Sequence, residues 1–482
     1  MMAKEGSFIT DAVRLTASKV IGNILTLVSA MLLARIRTLE ENGTYSSLLL
    51  IINLAVAIFM LGLPNSINYF LAKAETRTQK NSFLSIYYTF STILSAVLGL
   101  VLVVLIPVWV LYFDNGNLAQ YWFFLLIFPW AKVITASIEN VLVVLGQSSM
   151  LVKYRISNSI ILLLIIILVG EFDFSFRTYM LLYVLIEGFY AIAVYVLVSK
   201  YTGKLHAHFD WRMIKRVLEF SIPLGFASIV GTLNIEIDKL MLGHFLSTEN
   251  LAIYTNASKE MPLTIVATSL TAVLMPKMVK LFQQNRNREA VDIWRDVTSI
   301  SFAVIAFFGI GMAVFATEAM TILYSEKYAS GAPVFAIYSL GLLLKCTYFG
   351  IVLNTTGKTK IVFYSSIATL CLNSLMNVVL YKTMGVTGPA LATLLSSGII
   401  GMLQIWFSSK IIGIKFVHIF PWKNMAIIVL LNLVLGAVFY IIHIKFFSGC
   451  YQAIVLAALW GIIYGLILLK PAKRYWTRLR SV

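Results

Sequence analysis

Four lysines interrupt long apolar stretches of this chain: Lys19, Lys132, Lys259 and Lys345. An ionised side chain at the middle of a membrane helix costs on the order of 2.5–3.5 kcal/mol, so it is kept where it faces a cavity or a partner. In a hydrated cleft an ammonium takes a phosphate as a point charge. Binding of an anion is therefore the chemistry these four residues suit. Each also has a plainer reading. Lys19 stands near one end of the first apolar run, from where it can snorkel to the interface. Lys132 has Glu139 seven residues on, on the same helix face but ~10 Å away along the axis, which is far for a direct pair. Lys132 and Lys345 fall near mid-span, and Lys259 lies further toward one end.

Acids form the second group: Glu139, Glu187, Glu236, Asp238 and Glu260. Carboxylates inside spans commonly serve proton or sodium coupling, so H+ and Na+ are the candidate coupling ions. Glu187, in LLYVLIEGFYAIAV, is the most central. Asp238 follows Asn234 by four residues and shares its face; its plainer reading is a structural lock to Lys259 or another cation. Asparagines such as Asn140, Asn158, Asn354, Asn373 and Asn377 suit the hydroxyls of a polar ligand or, more simply, join helices at ~0.6 kcal/mol each. Pro64, Pro129, Pro223, Pro262 and Pro276 mark possible hinges.

Other chemistries are excluded or unsupported. GxxxxGK[ST] does not occur, so ATP hydrolysis by that route is out. The five histidines are scattered mostly in loops, and HAH at 206–208 is too sparse for a metal site. Cys346, Cys371 and Cys450 make neither a disulfide framework nor a metal site. No cofactor is indicated.

These residues must be positioned by membrane helices. The 482 residues are 60% hydrophobic, with a mean hydropathy of +0.88. A span takes ~20 apolar residues, and about fourteen such runs start near residues 14, 44, 83, 120, 154, 178, 217, 250, 297, 331, 360, 387, 424 and 450. The runs are too long and too continuously apolar for barrel strands. The expected class is an all-α integral membrane protein.

The net charge of +17 follows the insertion rule rather than a nucleic-acid surface. With the N-terminus inside, 28 of the 38 Lys and Arg residues fall on the inner side, six on the outer side, and Lys132, Lys239, Lys259 and Lys345 within spans. Both termini are expected in the cytoplasm. No cleavable signal peptide is evident: the first apolar run is long enough to remain a helix. Outer loops stay short and no soluble domain is seen, which excludes catalysis in a folded loop domain. The connection KMVKLFQQNRNREAVDIWRDVTS reads as an amphipathic surface helix with Met278, Leu281, Ile293 and Trp294 as its apolar positions.

Two short matches indicate duplication. TLEENGTYSS at 38–47 aligns with STENLAIYTN at 247–256, pairing Glu40 with Glu249 and Tyr45 with Tyr254. VLGQSSMLVKY at 144–154 aligns with TTGKTKIVFYS at 355–365, pairing Gly146 with Gly357. The offsets, 209 and 211, make the unit six helices. An even number leaves both copies in one orientation, related by a pseudo-two-fold along the membrane normal, as in parallel-repeat transporters with a path between the halves. The expected division is a first half of six spans over 1–200, a second over 201–411, and two extra helices with a basic tail over 412–482.

LLARIRTLEENGTYSSLLLIINLAVAIFMLGLPNSINYFLAK resembles the first helical hairpin of polysaccharide-unit flippases. The stretch 220–278, with Pro223, Asp238, Leu242, Gly243, Tyr254, Ala257, Pro262 and Pro276 as landmarks, resembles their seventh and eighth helices closely. GKTK at 357–360 and LNSLMNVVLYKTMGVTGPALATLLSS resemble their helices 11 and 12. The resemblance covers roughly 10–410 and is most specific over 214–285. It points to Wzx-type members of the multidrug/oligosaccharidyl-lipid/polysaccharide exporter superfamily, with a MATE-like fold. It implies a flippase moving an undecaprenyl-pyrophosphate-linked oligosaccharide from the inner to the outer leaflet of the bacterial inner membrane. An O-antigen, capsule or exopolysaccharide pathway would supply the cargo, with polymerase and chain-length proteins as partners. The competing readings are a multidrug exporter of the same superfamily, expected to have a less cationic cavity, and a membrane polysaccharide polymerase or sugar transferase, expected to carry a sizeable outer loop. From the residues alone comes a two-halved transporter; the cargo comes from the resemblance.

Overall fold

The computed structural model describes the backbone of residues 2–259, 261–447 and 449–480, and the side chains of 14–259, 261–447 and 449–469. Among the described residues fourteen helices are long and apolar enough to cross a membrane, and no strand occurs. The chain is an all-α, multi-pass membrane protein. In hydrocarbon every backbone polar group needs an internal partner, and a helix supplies one for all but its ends. Side chains serve several of those ends. Thr38 accepts from the Glu41 amide at 3.1 Å while Glu41 accepts from the Thr38 amide at 3.1 Å. Thr76 and Gln79 repeat this capping box.

By packing, the chain divides into two units, Met1–Ala252 and Ile253–Val482. The first contains α1 (Met2–Ile36), α2 (Leu39–Met60), α3 (Leu63–Lys73), α4 (Arg77–Val104), α5 (Ile106–Phe113), α6 (Trp122–Val144), α7 (Ser148–Glu171), α8 (Phe176–Thr202) and α9 (Trp211–Phe245). Then α10 (Thr248–Ala257) leads to α11 (Ile265–Gln283), α12 (Asn287–Val314), α13 (Ala316–Tyr324), α14 (Ala332–Gly341), α15 (Ile351–Thr355), α16 (Thr359–Met384), α17 (Thr387–Ile412), α18 (Phe416–Ile419), α19 (Trp422–Phe446) and α20 (Cys450–Arg480).

The duplication is visible element by element. Helix α4 ends at Val104 and α12 at Val314; α5 starts at Ile106 and α13 at Ala316; α6 starts at Trp122 and α14 at Ala332. Each pair is offset by 210. The glycine pairing holds to the level of single hydrogen bonds. Gly146 and Gly357 have φ of 69° and 76°. The next amide, of Gln147 or Lys358, bonds back to Leu142 O or Leu353 O, each at 2.7 Å. This is the left-handed helix ending that glycine favours; α7 and α16 start immediately after it.

The copies differ in where they break. Helix α2 runs unbroken to Met60 and turns through Leu61 and Gly62, with φ of 42° and 72°. Its counterpart stops early at Ala257, passes a 3-10 turn at Pro262–Thr264, and resumes as α11. Proline, having no amide hydrogen, fits the start of that turn. Helix α6 continues through Pro129. Its counterpart is split into α14, a 3-10 turn Leu342–Lys345, and α15, with Gly341 and Gly350 bracketing the split.

In the first unit α1 packs on α7, α6 on both α4 and α8, and α9 on α2 and α3. Leu48, Leu63, Leu84, Phe124 and Ile134 are wholly buried between them. The α9 contact is very close: a Cβ on Gly225 would stand 2.3 Å from the Leu61 carbonyl carbon. In the second unit α16 pairs with α17, and α12 carries α14, α19 and α20. Trp460 of α20 is fully buried, edge-on to Phe307 with ring centroids 5.8 Å apart.

The segment 276–296 is not a surface helix. It is the end of α11, a turn at Asn285 with φ of 57°, and the start of α12. Met278, Leu281, Ile293 and Trp294 are buried in one core with Phe420; their period faces protein rather than a membrane surface.

Candidate functional site

The first unit gathers charge around one carboxylate. Glu139 on α6 accepts from Lys19 of α1 at 2.7 Å through one oxygen and from Arg155 of α7 at 2.8 Å through the other. Arg155 also donates to Ser18 Oγ at 3.2 Å. Three helices are thereby tied by one acid. The side chains of Lys19 and Glu139 are 55% and 41% exposed, that of Arg155 only 20%, so a ligand can reach the cluster. Beside it lies a cavity of ≈ 170 Å³ lined by Glu139, Arg155, Asn158, Ser159, Tyr154 and Glu187, among others. Glu187 of α8 is buried and accepts from the Asn158 amide at 3.2 Å. Acceptors, amides and hydroxyls in one concavity are the groups that meet sugar hydroxyls, while the two cations suit phosphate.

A second network crosses α2, α6 and α9. Lys132 Nζ donates to Asn53 Oδ1. Asn53 Nδ2 donates to Glu236 Oε1 at 3.0 Å. Glu236 is paired with Lys239 at 3.0 Å, both side chains 14% exposed. Asp238 beside them is 2% exposed and accepts from the Lys239 amide at 2.8 Å.

The remaining lysines lie at the helix breaks of the second unit. Lys259, after the end of α10, donates to Asn256 Oδ1 at 2.7 Å and stands 5.9 Å from the Tyr324 ring centroid. Lys345 closes the 3-10 turn after α14, so the continuous mid-span helix expected there is split. Glu260 lies outside the described residues.

Lys19 and Glu139 are thus brought together, and Lys132 goes to Asn53 rather than to Glu139. The asparagines act largely as joints: Asn373 donates to Thr393 Oγ1 and Ser396 Oγ at 3.0 and 3.2 Å, fastening α16 to α17. Asn140 donates to Pro64 O at 2.8 Å near the α2–α3 turn. His443 is no loop residue: it is buried in α19 and pairs with Glu318 at 2.9 Å. Among the described residues no group of His, Cys, Asp and Glu could hold a metal ion.

Sequence reasoning passed over two residues. Arg155 is one of the 28 cations counted to the inner side, at the start of the run near 154, yet α7 starts at Ser148, which puts it ~10 Å into the helix; the GQSS turn was the available signal. Asn53, alone in LLLIINLAVAIF, gives none.

The family model described as "Polysaccharide biosynthesis protein" matches residues 32–333, well over half of the chain. The capsular polysaccharide biosynthesis protein CapF of Staphylococcus aureus is 24% identical over 238 residues, 48% of this chain and 60% of that one. A probable low-salt glycan biosynthesis flippase of Haloferax volcanii is 22% identical over 216 residues, 44% of this chain and 45% of its own length. The matches thus span about half the length of these relatives. Among solved structures, the lipid II flippase MurJ in an inward closed conformation superposes with a TM-score of 0.75 at 16% identity, covering 95% of this chain and 99% of that one. An inward-facing MATE-family multidrug transporter gives 0.64 at 14% identity, covering 84% and 98%. At these identities the structural likenesses speak for the fold alone.

Proposed function

This chain belongs to the polysaccharide biosynthesis protein family, and we propose that it is a transporter, not an enzyme, that flips a lipid-linked oligosaccharide. The proposed cargo is an undecaprenyl-pyrophosphate-linked repeat unit, carried from the inner to the outer leaflet of the bacterial inner membrane by alternating access of two repeat halves. Both termini lie in the cytoplasm in this reading, as the inner bias of 28 of 38 cations favours.

The observation that carries it is the Lys19–Glu139–Arg155 cluster beside a polar cavity that Glu139 and Arg155 line, inside a membrane helix bundle. The obstacle to flipping is desolvation of a polar, charged headgroup. Lys19 and Arg155 replace water around the pyrophosphate. Asn158, Ser159 and Glu187 meet hydroxyls of the sugars. Lys132, Lys259 and Lys345 supply further positive charge along the route. Glu187 and Asp238, buried acids on α8 and α9, are the proposed sites where H+ or Na+ uptake couples to the cycle. A polymerase and a chain-length protein would consume the flipped unit.

The test is deletion of the gene in its host. The expected result is lipid-linked oligosaccharide trapped on the inner leaflet and loss of surface polysaccharide, restored by the wild-type chain but not by Lys19→Ala with Arg155→Ala. Intact surface polysaccharide together with raised drug sensitivity would refute this reading and favour a multidrug exporter.

A further inference from the structure

Asn53 sits between two charges of opposite sign. Its amide orientation is fixed by chemistry: an ammonium only donates and a carboxylate only accepts. The oxygen must therefore face Lys132 and the nitrogen Glu236, as found. No other uncharged side chain of this size offers an acceptor and a donor on opposite sides of one rigid plane. The three residues stand on α6, α2 and α9. The first two helices belong to the first copy of the repeat, and α9 opens the second, since it ends 209 residues after α1.

The α2–α9 seam crossed by these hydrogen bonds also closes on backbone: Gly62 and Gly225 leave no room for side chains between the α2–α3 turn and α9. Ser221, one turn before Gly225 on α9, is wholly buried there. Small-residue contacts of this kind separate and reform without rearranging side chains; the amide bridge is the part with chemical selectivity.

We propose that Asn53 is a positioning residue that couples anion recognition at Lys132 to opening of the α2–α9 seam. A phosphate arriving at Lys132 offers the ammonium a stronger, charge-assisted acceptor than a neutral amide. Lys132 then leaves Asn53, the chain of hydrogen bonds loses its cationic end, and the Asn53–Glu236 bond that closes the seam weakens. Glu236 keeps Lys239 as its partner, so no carboxylate is stranded when the seam opens. This coupling rests on the reading of Lys132 as a residue that meets the cargo's phosphates.

The experiment uses the full chain in lipid nanodiscs with Cys346, Cys371 and Cys450 changed to alanine and Ser221→Cys as reporter. Inorganic pyrophosphate is the ligand, its binding followed by calorimetry and the thiol by maleimide labelling. Pyrophosphate should bind and speed labelling on the order of tenfold, the change that ~1.4 kcal/mol makes to an opening equilibrium. Lys132→Met should abolish that acceleration. Asn53→Asp, which keeps an acceptor for Lys132 but faces Glu236 with like charge, should label fast with or without pyrophosphate. Binding without acceleration in the reporter chain, or acceleration that survives Lys132→Met, would overturn the coupling; neither depends on the Asn53 variant folding. Absence of pyrophosphate binding would overturn the anion reading beneath it as well.

Discussion

The two copies of the repeat share their turns and part company at their breaks. In the first copy, α2 and α6 pass through the bundle as whole helices, and the cations on or beside them are answered by side chains: Lys19 and Arg155 by Glu139, Lys132 by Asn53. In the second copy the corresponding helices are split, and Lys259 and Lys345 stand at the splits. The difference teaches that side-chain amides and carboxylates answer the membrane cations whether or not the helix is whole: Lys132 donates to Asn53 in the unbroken copy, and Lys259 donates to Asn256 beside a break. A broken helix adds carbonyls and amides that must themselves be satisfied.

The comparison is broken most forcefully at the α2–α9 seam of the first unit. Gly225→Leu puts a side chain where even a Cβ meets the Leu61 backbone at 2.3 Å. Overpacking of this order should cost about 3 kcal/mol, read as a large fall in melting temperature in detergent, with transport lost. A melting temperature within a degree of wild type would show that the seam is looser than described. The shared carboxylate is the next lever. Glu139→Gln removes the single negative charge that Lys19 and Arg155 share; because these groups are partly exposed the cost should be about 1 kcal/mol, and raising salt should narrow the gap to wild type. A cost that grows with salt would argue against an ion pair. The smallest effect sharpens the likeness instead. Gly146→Ala and Gly357→Ala each put a Cβ into open space at φ near +70°. Each should cost about 1 kcal/mol, and the two costs should agree to within about 0.5 kcal/mol. A larger disparity would mean that the two turns bear different loads.

The spans and the six-helix repeat were legible because both are written in features with a long reach: apolar runs of membrane length, and a glycine whose left-handed φ no other residue adopts as readily. Shorter features were hidden by the same apolarity. The stop at Leu105 between α4 and α5 and the split after Gly341 fall inside apolar runs whose average hydropathy does not register them; Pro107 in the first turn of α5 and Lys345 at the split are the marks they leave in the sequence. The stretch 276–296 shows a different limit. Its apolar positions do become buried, but the period says nothing about what covers them, and the turn at Asn285 divides what reads as one helix. At the site, the residue types Lys19, Glu139 and Glu187 were evident, while their partners were not. Pairing across helices depends on rotation and register that a single sequence leaves open, and so the partnerships of Arg155 with Glu139 and of Asn53 with Lys132 emerge only from the packed structure.

The last spans have a further consequence. Trp460 is sealed against Phe307, lies parallel to Phe439 with ring centroids 6.3 Å apart, and rests on Gly436, whose Cβ position is 2.9 Å from the indole. An indole held this rigidly away from solvent is a built-in optical gauge: its emission should be blue and hard to quench while α20 stays seated on α12 and α19. Unseating of the terminal hairpin would therefore register in the emission of Trp460 once the other eight tryptophans are replaced by phenylalanine.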